Sequence, residues 1–199
     1  MNLKLEVGKF ELQHVKFNAK KGLVIDFYDV STPNDLYSVD SDGQPHEDYH
    51  NALNQFKEVL AYSLGFNNGW DFSTEHNRKN EEVLKKALMF WKDQVNSCTV
   101  NGLTLVGSGD KRGIKIAGSL KTDLGVVGLS SPLVRFDSEF VNSIDETVMI
   151  GDLAEFAFKT VQEEVWKFIF KQKRGGELFP IEEDDAPKSG LNVTMQKVG

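Results

Sequence analysis

The sequence contains one short pattern with a known chemical mechanism. Residues 46–50, His-Glu-Asp-Tyr-His, read H-E-x-x-H. On a helix this spacing places two imidazoles on one face to bind zinc, with the glutamate beside them as general base. A catalytic zinc also needs a third protein ligand, and the downstream candidates follow no recognisable pattern: Glu75, His76 and Glu81. A zinc hydrolase using His46, Glu47 and His50 is therefore the least favoured of three functional hypotheses.

The same segment has an interpretation that needs no metal. Pro45 precedes it, and proline is favoured at the first position of a helix, where its missing N–H needs no partner. Glu47 and Asp48 then fall in the first turn, where acidic side chains interact favourably with the helix dipole. We expect a helix N-terminus here. This favours a protein that is not an enzyme and uses no cofactor, without deciding the question.

A group of cations forms a second candidate site. The glycine-rich loop at residues 107–113 lacks the Gly-Lys-Ser/Thr of a P-loop and leads into a predicted strand, so it is not a nucleotide-binding fingerprint. The cations in and after this loop, which we call the basic hairpin, are Lys111, Arg112, Lys115, Lys121 and Arg135. Cations on a hairpin contact phosphate backbones or enter a groove. The pattern predicts a nucleic-acid interface, with single strands as one candidate ligand.

The C-terminal segment offers a different kind of site. Residues 177–199 set Leu178 and Phe179 beside an acidic run at residues 182–185. This composition predicts a flexible tail, and such tails dock on partners as short motifs or mask a basic surface. Leu178 and Phe179 are the predicted partner-binding residues. A protein–protein interaction module that modulates a host factor is therefore the alternative to nucleic-acid binding.

Composition restricts these hypotheses. The chain has 199 residues, of which 40% are hydrophobic and 27% charged, as in a globular protein with a core. A net charge of −7 argues against general binding to polyanions, so nucleic acid would have to bind a local patch.

The single cysteine, Cys98, forms no internal disulfide and is predicted to be a buried hydrophobic residue. No apolar run approaches the roughly 18–20 residues that span a bilayer, and no secretory signal is recognisable, so we expect a cytoplasmic protein.

Hydrophobic periodicity predicts the elements that position these residues. Alternation on both sides of a turn at residues 18–22 predicts an N-terminal hairpin, and a polar loop is expected at residues 31–44. Helical spacing predicts three helices, at about residues 45–65, 83–95 and 146–174, the last with Ser143 and Asp145 as candidate caps. Strands are predicted at residues 99–106, 114–118 and 132–136, the first either continuous or broken by a turn at Asn101-Gly102.

The order of these elements indicates the fold class. A hairpin, two helices, a central meander and a last helix are typical of an α+β fold rather than a doubly wound parallel fold. We predict an antiparallel sheet packed by about three helices, forming a single domain over residues 1–176, with the flexible acidic tail after it. A broad apolar stripe on the last helix leaves both intramolecular packing and a homodimer open.

Several of these segments also occur together in a known group. They are the Pro-His-Glu-Asp start of an amphipathic helix at residues 45–48, Gly-Ile-Lys-Ile-Ala-Gly at 113–118, Pro-Leu-Val-Arg-Phe at 132–136, and a long aromatic helix before a Leu-Phe-acidic tail. Over about residues 45–185 the chain resembles small uncharacterised proteins of tailed phages and prophages. The resemblance implies an accessory role in phage DNA metabolism or host interaction, in the host cytoplasm. It supplies no catalytic residues.

Overall fold

A computed structural model describes residues 5–32, 35–65, 81–141, 147–171 and 194–198. Its helices are α1 (Glu47–Asn54), α2 (Phe56–Ser63), α3 (Glu81–Ser97) and α4 (Ile150–Phe170). Its strands are β1 (Phe10–Phe17), β2 (Leu23–Asp29), β3 (Leu36–Asp40), β4 (Cys98–Val106), β5 (Gly113–Thr122), β6 (Gly125–Ser130), β7 (Val134–Arg135), β8 (Phe140–Val141), β9 (Thr147–Val148) and β10 (Thr194–Val198). The predicted α+β class with antiparallel strands is confirmed.

The chain divides into two compact units. The terminal unit comprises Met1–Ala52 and Lys159–Gly199, and the central unit comprises Leu53–Phe158. Nothing in the hydrophobic pattern indicated this division. The single domain over residues 1–176 stays a prediction, because compact units need not fold independently. Among the described residues, no helix is both long and apolar enough to cross a membrane.

In the terminal unit, four strands follow the order β10-β3-β2-β1. The predicted hairpin is β1 and β2, which pair in antiparallel register from Phe10↔Asp29 to Phe17↔Leu23. The expectation of a loop throughout residues 31–44 is wrong at β3, where Tyr37 and Val39 are buried. Alternation over only five residues, surrounded by turn-forming residues, is too weak to separate such a strand from a loop.

The end of the chain also differs from the expected tail. The last strand, β10, pairs antiparallel with β3 from Thr194↔Asp40 to Val198↔Leu36. The structure thus corrects the prediction of a flexible tail for these five residues. The rest of the predicted tail, with Leu178, Phe179 and the acidic run, lies outside the described residues.

Aromatic rings form the core of the terminal unit. Phe10 and Phe27 pack with ring centroids 4.7 Å apart, and Phe170 of α4 meets both edge-on at 6.1 Å. The indole Nε1 of Trp166 donates a hydrogen bond to the Leu5 carbonyl, at 2.7 Å. The broad apolar stripe predicted for the last helix therefore has an intramolecular role over this half of α4.

In the central unit, β4, β5 and β6 are neighbours in that order, and β7 also pairs with β5. The two alternatives for β4 are resolved in favour of a continuous strand. Its register shifts between Val100 and Gly102, so Asn101 is the extra residue of a β-bulge. Gly118 of β5 lies opposite Val100, and a Cβ there would meet the Leu60 side chain of α2 at 2.8 Å. Glycine at this position therefore lets α2 approach the strands closely.

Candidate nucleic-acid interface

The loop between β4 and β5 is a short folded turn. Gly109–Lys111 form a 3₁₀ turn, and the Arg112 N–H donates to the Gly109 carbonyl at 3.2 Å. Gly107 has a φ of 85°, and a Cβ there would meet the Lys111 carbonyl oxygen at 2.4 Å. A left-handed backbone with so little space admits only glycine. The turn leaves Lys111 exposed and Arg112 half-buried.

Alternation along β5 separates a buried face from a charged one. Ile114 and Ile116 are fully buried, whereas Lys115 and Lys121 are exposed. No register shift interrupts β5, so the two lysines lie on the same side of the strand. Six residues at about 3.3 Å each place their Cα atoms about 20 Å apart. Lys121 therefore lies at the opposite end of the strand from the other predicted cations.

The strand β7 brings Arg135 to the beginning of β5. Arg135 lies directly opposite Gly113, so its side chain shares a face with Lys115 as a diagonal neighbour at about 7–8 Å. Its guanidinium forms two hydrogen bonds with Asp137, Nε to Oδ1 at 2.9 Å and Nη2 to Oδ2 at 2.6 Å. These bonds hold the pKa of the Asp137 carboxyl below its usual value. Arg135 is thus in the predicted place, but a carboxylate compensates its charge.

A buried serine joins β6 to β7. The Ser131 N–H donates to the Ile116 carbonyl at 2.9 Å, and the Ile116 N–H donates to the Ser131 hydroxyl oxygen at 2.9 Å. The hydroxyl in turn donates to the Pro132 carbonyl at 2.7 Å. Proline has no N–H for strand pairing. The Ser131 hydroxyl therefore accepts the hydrogen bond that the Ile116 N–H of β5 needs beside this proline. The chain can then continue into β7, which pairs with β5 and positions Arg135.

Small and polar side chains surround the two lysines of β5. We use the name lysine face for the exposed side of β5 and β6, which carries Lys115, Ala117, Ser119, Lys121, Val126, Gly128 and Ser130. Among the described strands of the central unit, the charged residues are Lys115, Lys121 and Arg135, all cations. The strands themselves therefore carry only positive charge, whereas Asp110, Asp123 and Asp137 lie in the turns beside them. The sequence did not predict that Ser119, Ser130 and Asp137 lie near these cations, because this depends on which residues of neighbouring strands pair.

A zinc-binding helix carries both histidines of H-E-x-x-H on one face, and this arrangement is not seen here. The helix α1 begins at Glu47, so His46 precedes it, and the expected start at Pro45 was two residues early. His46 Nδ1 lies 3.2 Å from the Asp48 backbone N–H donor. His50 instead stacks on Phe17, with ring centroids 5.3 Å apart and planes 13° apart. Within the described ranges no three His, Cys, Asp or Glu side chains cluster as metal ligands, and residues 75 and 76 lie outside those ranges.

Two other reactive side chains of the sequence are buried. Tyr49, in the middle of the H-E-x-x-H segment, packs edge-on against Phe17 at 5.7 Å, and burial raises the pKa of its phenol. Cys98 is fully buried, as predicted. Burial raises the pKa of its thiol, partly opposed by the charge of Lys57. A thiol with a raised pKa is mainly protonated at neutral pH and is a poor nucleophile.

The central unit also exposes large apolar side chains on and beside its helices, and three of them, Leu88, Phe90 and Leu153, belong to predicted apolar stripes. On α3 these are Leu88, Met89 and Phe90, and around the start of α4 they are Met149, Leu153 and Phe156. Phe156 is 69% exposed. Periodicity identifies which residues share a helix face, but not whether another element covers that face. Where such side chains form a contiguous patch, they mark an interaction surface.

Comparisons of the sequence with protein-family models and with curated proteins, and of the fold with solved structures, find no match. The geometry of the central unit is therefore the basis for a functional proposal.

Proposed function

We propose that this protein is a non-enzymatic accessory protein, of the phage type suggested by its sequence, that binds nucleic acid through the lysine face and the adjoining turn. The observation that carries the proposal is the charge of the strands in the central unit. Their described charged residues are all cations, in a chain whose net charge is −7. An acidic protein that keeps carboxylates off one set of strands presents a local site for a polyanion.

The chemistry of the lysine face favours contacts to phosphates rather than to bases. Lys111, Lys115 and Lys121 are exposed ammonium donors, and the hydroxyls of Ser119 and Ser130 lie between the two lysines of β5. Lysine and serine side chains are common donors to phosphate oxygens. Among its described residues this face carries no aromatic ring on which a base could stack. We therefore expect binding with little sequence preference.

Salt dependence measures this kind of binding directly. Each phosphate neutralised on a single strand contributes about −0.7 to the slope of log affinity against log salt, so three lysines predict a slope of about −2. The net negative charge of the chain opposes the contact, and the acidic run at residues 182–185 would compete with the ligand for the same cations. Binding is expected to be strongest at low salt.

Fluorescence polarisation with a labelled oligothymidine tests the proposal. The double variant Lys115→Gln/Lys121→Gln should bind at least tenfold more weakly and lower the salt slope by about 1.4. The matched control is Lys16→Gln/Lys21→Gln in the terminal unit, which changes the net charge equally and should retain wild-type affinity. Absence of wild-type binding at low salt, or equal losses in the two double variants, would refute the proposal.

The exposed apolar residues of α3 and α4 support a second candidate function, a protein–protein interaction module. Leu153 and Phe156 lie three residues apart on one side of α4, and both are exposed. If a protein partner binds this surface, Leu153→Ser/Phe156→Ser should abolish its co-purification, whereas Lys115→Gln/Lys121→Gln should not. The reverse pattern would assign the contact to the lysine face.

A further inference from the structure

Among the strands that the structure describes, β6 is an edge strand with no partner on its outer side. It is the last strand in the order of the central unit, and it pairs with β5 along its whole length without a register shift. Val126 is 72% exposed and Val127 is 51% exposed. Natural edge strands are usually protected from further pairing by lysine, proline or a bulge. The sequence of β6, Gly-Val-Val-Gly-Leu-Ser, contains none of these.

We propose that β6 pairs with β6 of a second copy of this chain to form a homodimer. Two antiparallel strands of identical chains are related by a two-fold axis perpendicular to the sheet, and this axis preserves the faces of the sheet. Residues that meet across the axis must therefore point to the same face. For β6 the permitted registers include the one in which Gly128 lies opposite Gly128 of the second copy.

This register brings apolar side chains together. It places Val127 opposite Leu129 twice, once on each side of the axis, on the face where Gly118 contacts Leu60 of α2. At the axis itself, a Cβ added to Gly128 would meet nothing within 4 Å of its own chain, so a side chain placed there fits the monomer. The strand carries no charge, so two copies of an acidic protein can approach here without a like-charge contact.

The pairing also aligns the lysine faces of the two copies. Because the axis preserves faces, Lys115 and Lys121 of both copies would lie on one side of a continuous sheet. This consequence rests on the proposed nucleic-acid function, whereas the pairing itself does not. Two linked sites on one strand of nucleic acid bind with an effective concentration that raises the overall affinity.

A cysteine cross-link tests the register. In Gly128→Cys, two cysteines would face each other across the axis, within the Cα separation of about 4.4–6.8 Å that a disulfide needs. Ser130→Cys is the matched control, because its Cα atom would lie about 14 Å from that of its symmetry mate. The native Cys98 is buried and does not interfere. Mild oxidation should convert most of Gly128→Cys to a covalent dimer and leave Ser130→Cys monomeric.

A charge placed at the axis tests the dimer without a covalent cross-link. Sedimentation equilibrium should give the wild type twice the mass of one chain. Gly128→Lys should be a folded monomer, because it sets two ammonium groups against each other. Ala117→Lys adds the same charge to the lysine face on β5, away from the axis, and should stay dimeric. Circular dichroism verifies that each variant is folded.

The outcomes separate the dimer from the nucleic-acid function. A monomeric wild type, a dimer that survives Gly128→Lys, or equal cross-linking of the two cysteine variants would overturn the proposed pairing. A dimer that dissociates as expected, in a protein that binds no oligothymidine, would support the pairing and refute the proposed function. If both proposals hold, Gly128→Lys should bind a long oligothymidine more weakly than the wild type despite its added cation.

Discussion

The strands of the two units differ in the sign of their charged residues. The strands of the terminal unit carry four acids, Glu11, Asp26, Asp29 and Asp40, and two lysines, Lys16 and Lys197. The described strands of the central unit carry only cations. Over all their residues the two units have similar net charges, −4 in the terminal unit and −3 in the central unit, so the contrast lies in the strands alone.

The units also differ in how far their large apolar side chains are exposed. The terminal unit encloses Phe10, Phe27 and Phe170 in one cluster, whereas large exposed apolar residues occur mainly on α3, the β5–β6 hairpin and the start of α4 in the central unit. Buried rings stabilise a fold, whereas largely exposed apolar side chains contribute less to its stability. We infer that the terminal unit is mainly a packed scaffold and that the central unit presents the interaction surfaces.

Truncating one phenylalanine in each unit is the strongest test of this contrast. Phe27→Ala removes a fully buried ring in contact with Phe10 and Tyr37, and should lower the free energy of unfolding by about 3–5 kcal/mol. Phe156→Ala removes a ring that is 69% exposed, and should cost less than about 1 kcal/mol. Urea denaturation measures both values. Similar losses in the two variants would mean that the units do not differ in packing.

A methyl group added to a glycine examines packing within the central unit. Gly118→Ala places a Cβ 2.5 Å from the Thr99 carbonyl oxygen and should destabilise the fold by about 1–3 kcal/mol. Gly128→Ala places its Cβ in open space and should not lower stability. Thermal unfolding followed by circular dichroism compares the two. A neutral Gly118→Ala would show that α2 does not pack closely on β5.

The hydroxyl of Ser131 should have a smaller but specific effect. Ser131→Ala leaves the buried Ile116 N–H without its partner, which costs about 1–3 kcal/mol, while the exposed Ser130→Ala should be nearly neutral. Amide hydrogen exchange should be faster at Ile116 in Ser131→Ala than in the wild type. Unchanged protection there would contradict the role assigned to this hydroxyl.

Removing the carboxylate that pairs with Arg135 should have the smallest effect, because it changes charge alone. Asp137→Asn removes the carboxylate that compensates Arg135, so nucleic-acid affinity should rise several-fold and the salt slope should steepen by less than about 1. The lowered pKa of Asp137 keeps its carboxylate charged above an ordinary aspartate pKa of about 3.9, and the pair is lost only as pH falls through the lowered value. Between pH 5 and pH 9 the wild-type affinity should therefore not change through this pair. A binding titration at several pH values tests both statements, and an unchanged affinity in Asp137→Asn would remove Arg135 from the interface.

Much of the fold could be predicted because it depends on local periodicity. Alternating residues predicted β1, β2, β4 and β5, and helical spacing predicted α3 and most of α4. The expected start of the last helix was too early, because Thr147–Val148 form β9 and the helix begins at Ile150. The first helix was predicted as one element, whereas Gln55 separates α1 from α2. β3, β6 and β10 were missed, because each has at most six residues and is recognisable chiefly by the strand with which it pairs.

The candidate site was predictable in part for the same reason. Alternation alone places Lys115 and Lys121 on the face opposite Ile114 and Ile116, and this holds in the structure. Pairing with Asp137 was not predicted, because a compensating charge depends on the local path of the chain after β7. The exposure of Leu153 and Phe156 was not predicted either, since a helix pattern carries no information about what covers it.

The sequence by itself determined which residues share a side of each helix and strand, because side-chain direction follows from backbone geometry within a few residues. It therefore determined that β5 has a charged side and an apolar side. Only the tertiary structure decided that β6 is an edge, that the strands of the central unit exclude acids from their described positions, and that Arg135 is compensated. These properties depend on contacts between residues distant in sequence, which local periodicity does not encode.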